Sequence, residues 1–169
     1  MIVRWCGAAA LIVRQMNKED FEPYKRLFEE AYSEYLEFLR LNNPQQYRKE
    51  KQEKKKVTRT RFDFYLKTGS SFIAEENGEV IGYVASQTAS YMHGVDKLLW
   101  IEYVVVKSQY RRKGVGTALM NRLLNHAKRN SVGRIYTTIN PDNKASIELH
   151  QKMGFNVKSW KVASFKVTP

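Results

Sequence analysis

Cys6 is the only cysteine among 169 residues, so no intrachain disulfide can form, and the chain suits a reducing, cytoplasmic setting. It has no run of 18 or more apolar residues, so no membrane-spanning helix is expected and a membrane partner is not. Internal repeats are absent, and no linker is rich enough in glycine, serine or proline to divide the chain, which reads as one domain. No Cys, His and carboxylate cluster has metal-ligand spacing, so no metal is expected. The triple-glycine fingerprint of dinucleotide folds and the Gly-Lys-Ser/Thr of a P-loop are also missing. Acidic residues are few: 17 against 29 Lys and Arg, for a net charge of +12. That balance favours anionic partners without choosing among phosphates, acidic peptides, nucleic acid and membrane surfaces.

The start of the chain resembles a signal peptide only faintly. Its apolar run spans seven residues, Gly7 to Val13, and Arg14 closes it. Leu11 to Gln15 reads as the first strand, and residues 1–10 as a loose arm before a domain at 11–169. Asn17 and the acids after it resemble a helix start, and Tyr24, Leu27, Phe28, Ala31, Tyr32, Tyr35 and Leu39 repeat at helical spacing up to a stop at Pro44.

Charge then concentrates. Arg48 to Arg61 holds eight basic and two acidic residues in 14 positions, half of the net charge of the whole chain. Two readings stand: a solvated, partly helical surface, or a patch for an acidic substrate or nucleic acid. No aromatic residue interleaves the run before Phe62, so base stacking gains no support. Phe62, Tyr65 and Leu66 continue as a second helix, stopped by Gly69. Ser71 to Glu75 and Glu79 to Ser86 are β-rich runs around an Asn77-Gly78 turn. Thr88 to Lys97 reads as a looser connection, Leu98 to Val106 as a central strand, and Arg134 to Ile139 as a further strand. A short helix over Asn143 to Met153 is followed by two β-like runs, Phe155 to Trp160 and Lys161 to Val167.

The most informative segment is Trp100 to Met120. An apolar β-branched run, broken only by Glu102, leads into Arg111-Arg112-Lys113-Gly114-Val115-Gly116, and then into apolar residues at helical spacing. Strand, basic glycine-containing turn and helix together make an anion site. The first amides of a helix have no intrahelical partner, and the helix dipole is positive there. A plain helix start with a tight turn would look similar.

These residues, together with Asn143-Lys-Ala-Ser146-Ile-Glu-Leu149-His150-Gln-Lys152-Met-Gly154-Phe155, resemble the two motifs of the GNAT superfamily of N-acetyltransferases, in the same order and spacing. The resemblance spans roughly Leu11 to Val167 and is specific from Trp100 to Phe155. It implies an α/β (α+β) single-domain fold, with a mixed central sheet of about seven strands, splayed central strands and about four flanking helices. It also implies acetyl-CoA as co-substrate. Arg111, Arg112, Lys113, Gly114, Val115 and Gly116 would hold the pyrophosphate. Free backbone groups of Val104, Val105 and Val106 would hold the pantetheine, one of their amides serving the oxyanion, and Asn143 would reach the cofactor arm unless it only caps its helix.

By the same resemblance Glu102 is the candidate general base for the acceptor amine. Its place in an apolar strand would raise its pKa, unless it faces solvent or pairs with a cation. His150 stands where relatives carry a tyrosine. It is a candidate acid for the departing thiolate, or a bystander with water in that role. His93 could lie near the acceptor mouth or merely in a surface loop, and His126 is expected to be exposed. The acceptor is an amine, favoured as acidic by the basic patch; nucleic acid is not favoured, and a homodimer is compatible. The rivals are a basic nucleic-acid-binding module and a GNAT that binds acyl-CoA without turnover.

Overall fold

The computed structural model describes residues 2–3, 10–53, 56–92 and 94–159. Two compact units are present, Met1–Thr138 and Ile139–Pro169.

The first unit opens with β1 (Ile2–Val3) and β2 (Leu11–Gln15). A 3-10 turn at Lys18–Asp20 leads into α1 (Phe21–Asn42). Asn17 and Asp20 form a reciprocal capping box there, and Arg14 holds the buried Asp20 carboxylate through two hydrogen bonds of 2.8 and 2.7 Å. Next come α2 (Pro44–Glu53) and α3 (Arg59–Thr68), then β3 (Phe72–Glu76), β4 (Glu79–Met92) and β5 (Val95–Val106). A 3-10 turn at Ser108–Tyr110, α4 (Val115–Arg129) and β6 (Arg134–Thr137) complete it. The strands form one sheet in the order β1-β2-β3-β4-β5-β6, antiparallel except for the parallel pair β5·β6. The second unit contributes α5 (Lys144–Lys152).

The sheet is covered on both faces. On one face Tyr24 and Leu27 of α1 and Phe62 and Tyr65 of α3 pack with Ile73, Tyr83 and Ala85. On the other, α4 buries Val115, Ala118, Leu119, Leu123 and Ala127. Gly82 lets α4 and the strands approach closely. A Cβ there would stand 2.8 Å from the Val105 carbonyl oxygen and 3.4 Å from side-chain carbons of Leu119 and Val115.

The structure corrects several sequence expectations. Pro44 does not end the helical region; it opens α2, since its missing N–H is no loss at a first helical position. The described residues therefore hold five α-helices rather than four. Among the described residues the sheet has five strands of four or more residues plus the two-residue β1, against the seven strands expected. Residues 155–159 form no strand, and the expected run over 161–167 lies outside the described residues. The segment 88–97 is not a loose connection, because β4 and β5 extend each other as a hairpin through Ala89↔Leu98, Ser90↔Lys97 and Met92↔Val95. His93 lies outside the described residues. Finally, His126 is half-buried, edge-on to Phe72 at 5.5 Å, and burial followed by the charges of Arg122 and Lys97 lowers its pKa.

Candidate active site

The site begins where a pairing stops. β5 and β6 run together through Leu98↔Arg134, Leu99↔Ile135, Trp100↔Tyr136 and Ile101↔Thr137. β6 then ends, while β5 continues to Val106. Beyond Ile101, β5 is bonded on its β4 side and, among the described residues, open on the other.

Which backbone groups face that opening follows from the ladder. Lys107 N–H donates to the Ile81 carbonyl at 2.9 Å, and Gly82↔Val106, Tyr83↔Val105 and Val84↔Val104 are the next pairs. Antiparallel pairs alternate between exchanging hydrogen bonds and pointing them away. Tyr103 and Val105 therefore direct their groups at β4, while Val104 and Val106 direct theirs at the opening. The Val106 carbonyl already accepts from Arg111 Nε at 2.9 Å.

Glu102 is aimed by an irregularity. Ala85 pairs with Tyr103, but Ser86 pairs with Ile101, so Glu102 is the extra residue of a β-bulge. A bulge rotates its extra residue out of strict alternation. Here it leaves Glu102 on the face of Tyr103, Gln87 and the helix α3. Gln87 Nε2 donates to Glu102 Oε1 at 2.6 Å. Burial pushes the Tyr65 phenol up, Arg61 draws it down, and the Glu102 charge pushes it up again. Serines fasten the β4 side of the bulge. Ser86 N–H donates to Ser71 Oγ at 3.0 Å, and the Ser86 carbonyl accepts from Thr68 Oγ1 at 3.1 Å and from Ser70 and Ser71 Oγ at 3.2 Å each. All three serines are buried.

The loop after β5 presents bare amides. Gly114 is the N-cap of α4 at φ +82°, a left-handed conformation that glycine adopts without strain, and no side chain caps the helix. The first helical bond runs from Ala118 N–H to the Gly114 carbonyl at 2.9 Å, leaving the amides of Val115, Gly116 and Thr117 without helical acceptors. Arg112 also sits at positive φ, +63°. The three basic side chains differ. Arg111 pairs with Glu34 of α1 besides capping Val106, Lys113 Nζ lies 5.4 Å from the Tyr110 ring centroid, and Arg112 is exposed.

In the second unit Asn143 caps α5, its Oδ1 accepting from Ser146 N–H at 3.1 Å. His150 is buried, with Nδ1 2.8 Å from the Ser146 carbonyl oxygen and its ring edge-on to Phe155 at 5.1 Å. A carbonyl only accepts, so Nδ1 carries the proton. Nε2 is then an acceptor, buried and without a hydrogen-bond partner among the described residues.

Gln87, the serine fastening and the aiming of Glu102 had no visible signal in the sequence. Arg61 was visible only as one charge of a basic run. Among the described residues no group of three or more His, Cys, Asp or Glu could hold a metal ion, and no helix is long and apolar enough to cross a membrane.

The site thus combines a strand edge open among the described residues with a helix N-terminus that no side chain caps. The sequence model of the Acetyltransferase (GNAT) family matches residues 19–155, and the chain belongs to that family. An uncharacterized N-acetyltransferase of Methanocaldococcus jannaschii is 26% identical over 156 residues, covering 88% of this chain and 63% of that protein. An N-alpha-acetyltransferase of Sulfurisphaera tokodaii is 33% identical over 91 residues, 50% of this chain and 54% of that protein. The chain thus spans less than two-thirds of the length of these relatives. In fold it is similar to the aminoglycoside N-acetyltransferase AAC(6')-Iy in complex with CoA, with a TM-score of 0.68 and 19% identity over 96% of this chain and 99% of that one.

Proposed function

We propose that this protein is an N-acetyltransferase that moves an acetyl group from acetyl-CoA to an amine by direct attack. The observation that carries the reading is the continuity of the β5 edge beyond Ile101 with the uncapped start of α4. The amides of Val115, Gly116 and Thr117 suit a pyrophosphate, with Arg112 and Lys113 adding charge. The edge groups of Val104 and Val106 suit the amides of a pantetheine arm, and an amide there can also serve the oxyanion. Arg111 contributes by holding the loop to Val106 and α1 rather than as a bare charge. Val105 contributes through the packing of its side chain. Bound acetyl-CoA supplies the acetyl group as a thioester open to a neutral amine.

Glu102 accepts the amine proton at a carboxylate oxygen, and Gln87 orients that carboxylate. Asn143 acts as the cap of α5. The acid role of His150 at the departing thiolate carries a condition: with its neutral-state proton held at Nδ1 by Ser146, it must first take a second proton at Nε2. His150→Phe is expected to lower kcat more than about tenfold with acetyl-CoA affinity kept within about twofold. Wild-type turnover in that variant passes the role to water.

The test is an acceptor screen with acetyl-labelled acetyl-CoA, run beside thermal unfolding with and without that ligand. Label on an amine and a raised Tm are expected. A raised Tm with no amine labelled leaves a sensor of acyl-CoA, and an unmoved Tm at saturating ligand overturns the reading.

A further inference from the structure

The face onto which the bulge turns Glu102 carries a second charge of opposite sign. Arg61 lies in the first turn of α3, its backbone N–H held by Thr58 Oγ1 at 3.2 Å. Its guanidinium carbon stands 6.0 Å from the ring centroid of Tyr103, the residue next to Glu102 in the bulge. The side chain is exposed, and among the described residues no carboxylate lies within ion-pair distance of it, whereas its neighbour Arg59 is paired with Asp63 at 3.2 Å. Burial works against the Arg61 charge, and Tyr103, Tyr65, Glu102 and Tyr24 together more than offset it, so its pKa stands above the ordinary guanidinium value.

Under this pair lies a layer of phenols. The rings of Tyr24 and Tyr83 are tilted against each other with centroids 4.5 Å apart, and Tyr65 is 6.3 Å from Tyr24. The Tyr24 and Tyr83 hydroxyls are fully buried and have no hydrogen-bond partner within normal distance among the described residues. Even if they served one another, one O–H would be left over. A buried donor without an acceptor is costly. The start of α3 adds the positive end of a helix dipole on the same side.

We propose that Arg61 selects the acceptor: the amine that reaches Glu102 bears its own carboxylate, which Arg61 binds, so the substrate is an amino acid. This rests on the N-acetyltransferase reading. One carboxylate for the ammonium and one guanidinium for the carboxylate complement a zwitterion, and a bidentate Arg–carboxylate pair gives both orientation and discrimination. A polycation such as an aminoglycoside meets Arg61 and a chain of net charge +12 instead.

The experiment compares L-methionine, L-phenylalanine, β-alanine and 4-aminobutyrate, each with its primary amide, and kanamycin as the polycation. Acetyl-CoA-induced thermal stabilisation is measured first. At least one acid should exceed its amide by about 50-fold or more in kcat/KM, mostly through KM. Arg61→Gln should bring that ratio within about threefold by a loss on the acid, with the acetyl-CoA-induced Tm shift kept. Equal use of acids and amides, a ratio that survives in Arg61→Gln, faster acetylation of kanamycin, or no turnover of any acid by a protein that acetyl-CoA stabilises would each overturn it. Absence of stabilisation by acetyl-CoA overturns the N-acetyltransferase reading instead, so the two failures are separable.

Discussion

Glu102→Gln lowers kcat at neutral pH by about 10²- to 10³-fold and regains activity as pH rises. The substitution is isosteric. The oxygen that accepts from Gln87 Nε2 remains, so the bulge and the carboxamide keep their places, and the unfolding temperature should move little. What is lost is a group that can hold a proton. An alkyl amine with a pKa of about 10.4 is almost wholly an ammonium ion at pH 7 and cannot attack until a proton leaves. In the variant that proton must go to solvent, so the rate follows the fraction of free amine and climbs about tenfold per pH unit toward pH 10. In the wild-type protein the same climb ends earlier, once Glu102 no longer limits deprotonation. The ratio of wild type to variant should therefore shrink steadily with pH. A ratio that stays constant across pH 7 to 10 would mean that the substitution has disturbed positioning rather than proton transfer. Equal rates at pH 7 would remove Glu102 from the chemistry.

Glu102 also shows where sequence reading stops. It stood out as the single charge in an apolar strand, and strict alternation from Val104 would have placed it on the face of α4. Its actual direction depends on a mismatch between β4 and β5, Ala85↔Tyr103 followed by Ser86↔Ile101, which no pattern within either strand encodes. The bonds that stabilise the mismatch come from Thr68, Ser70 and Ser71, at least 15 residues away along the chain. The strand, turn and helix around Gly114 are different. They were legible because backbone conformation there is set by neighbours in sequence, and the structure places Gly114 at φ +82° where the tight turn was expected. The hairpin over 87–97 escaped notice for the opposite reason. Gln87, Ala89 and Ser90 lack the β-branched or aromatic side chains that favour strands, and they are extended by pairing with β5 rather than by their own preference. Arg61 was hidden by abundance. In a run of eight basic residues nothing local distinguishes the one that lies over Tyr103.

Gly116→Glu abolishes the thermal stabilisation given by acetyl-CoA while leaving the free protein at least as stable as before. Ligand at about 100 times its Kd should add about 2.7 kcal/mol to the folded state. At about 2–4 °C per kcal/mol for a domain of this size, that raises Tm by about 5–10 °C. The second residue of α4 faces an end where the amides of Val115, Gly116 and Thr117 lack acceptors. A glutamate there is a better helix former than glycine, and its charge suits the positive end of the dipole, by about 0.3–1 kcal/mol. The same carboxylate puts a negative charge and bulk where a pyrophosphate must sit. Stability of the free protein and affinity for acetyl-CoA are thus driven in opposite directions by one substitution, which a merely damaged fold cannot imitate. Differential scanning fluorimetry with and without acetyl-CoA reads both quantities on the same sample. A Gly116→Glu protein that still gains the full rise of about 5–10 °C with acetyl-CoA would mean that the ligand is held elsewhere, and that the start of α4 only turns the chain.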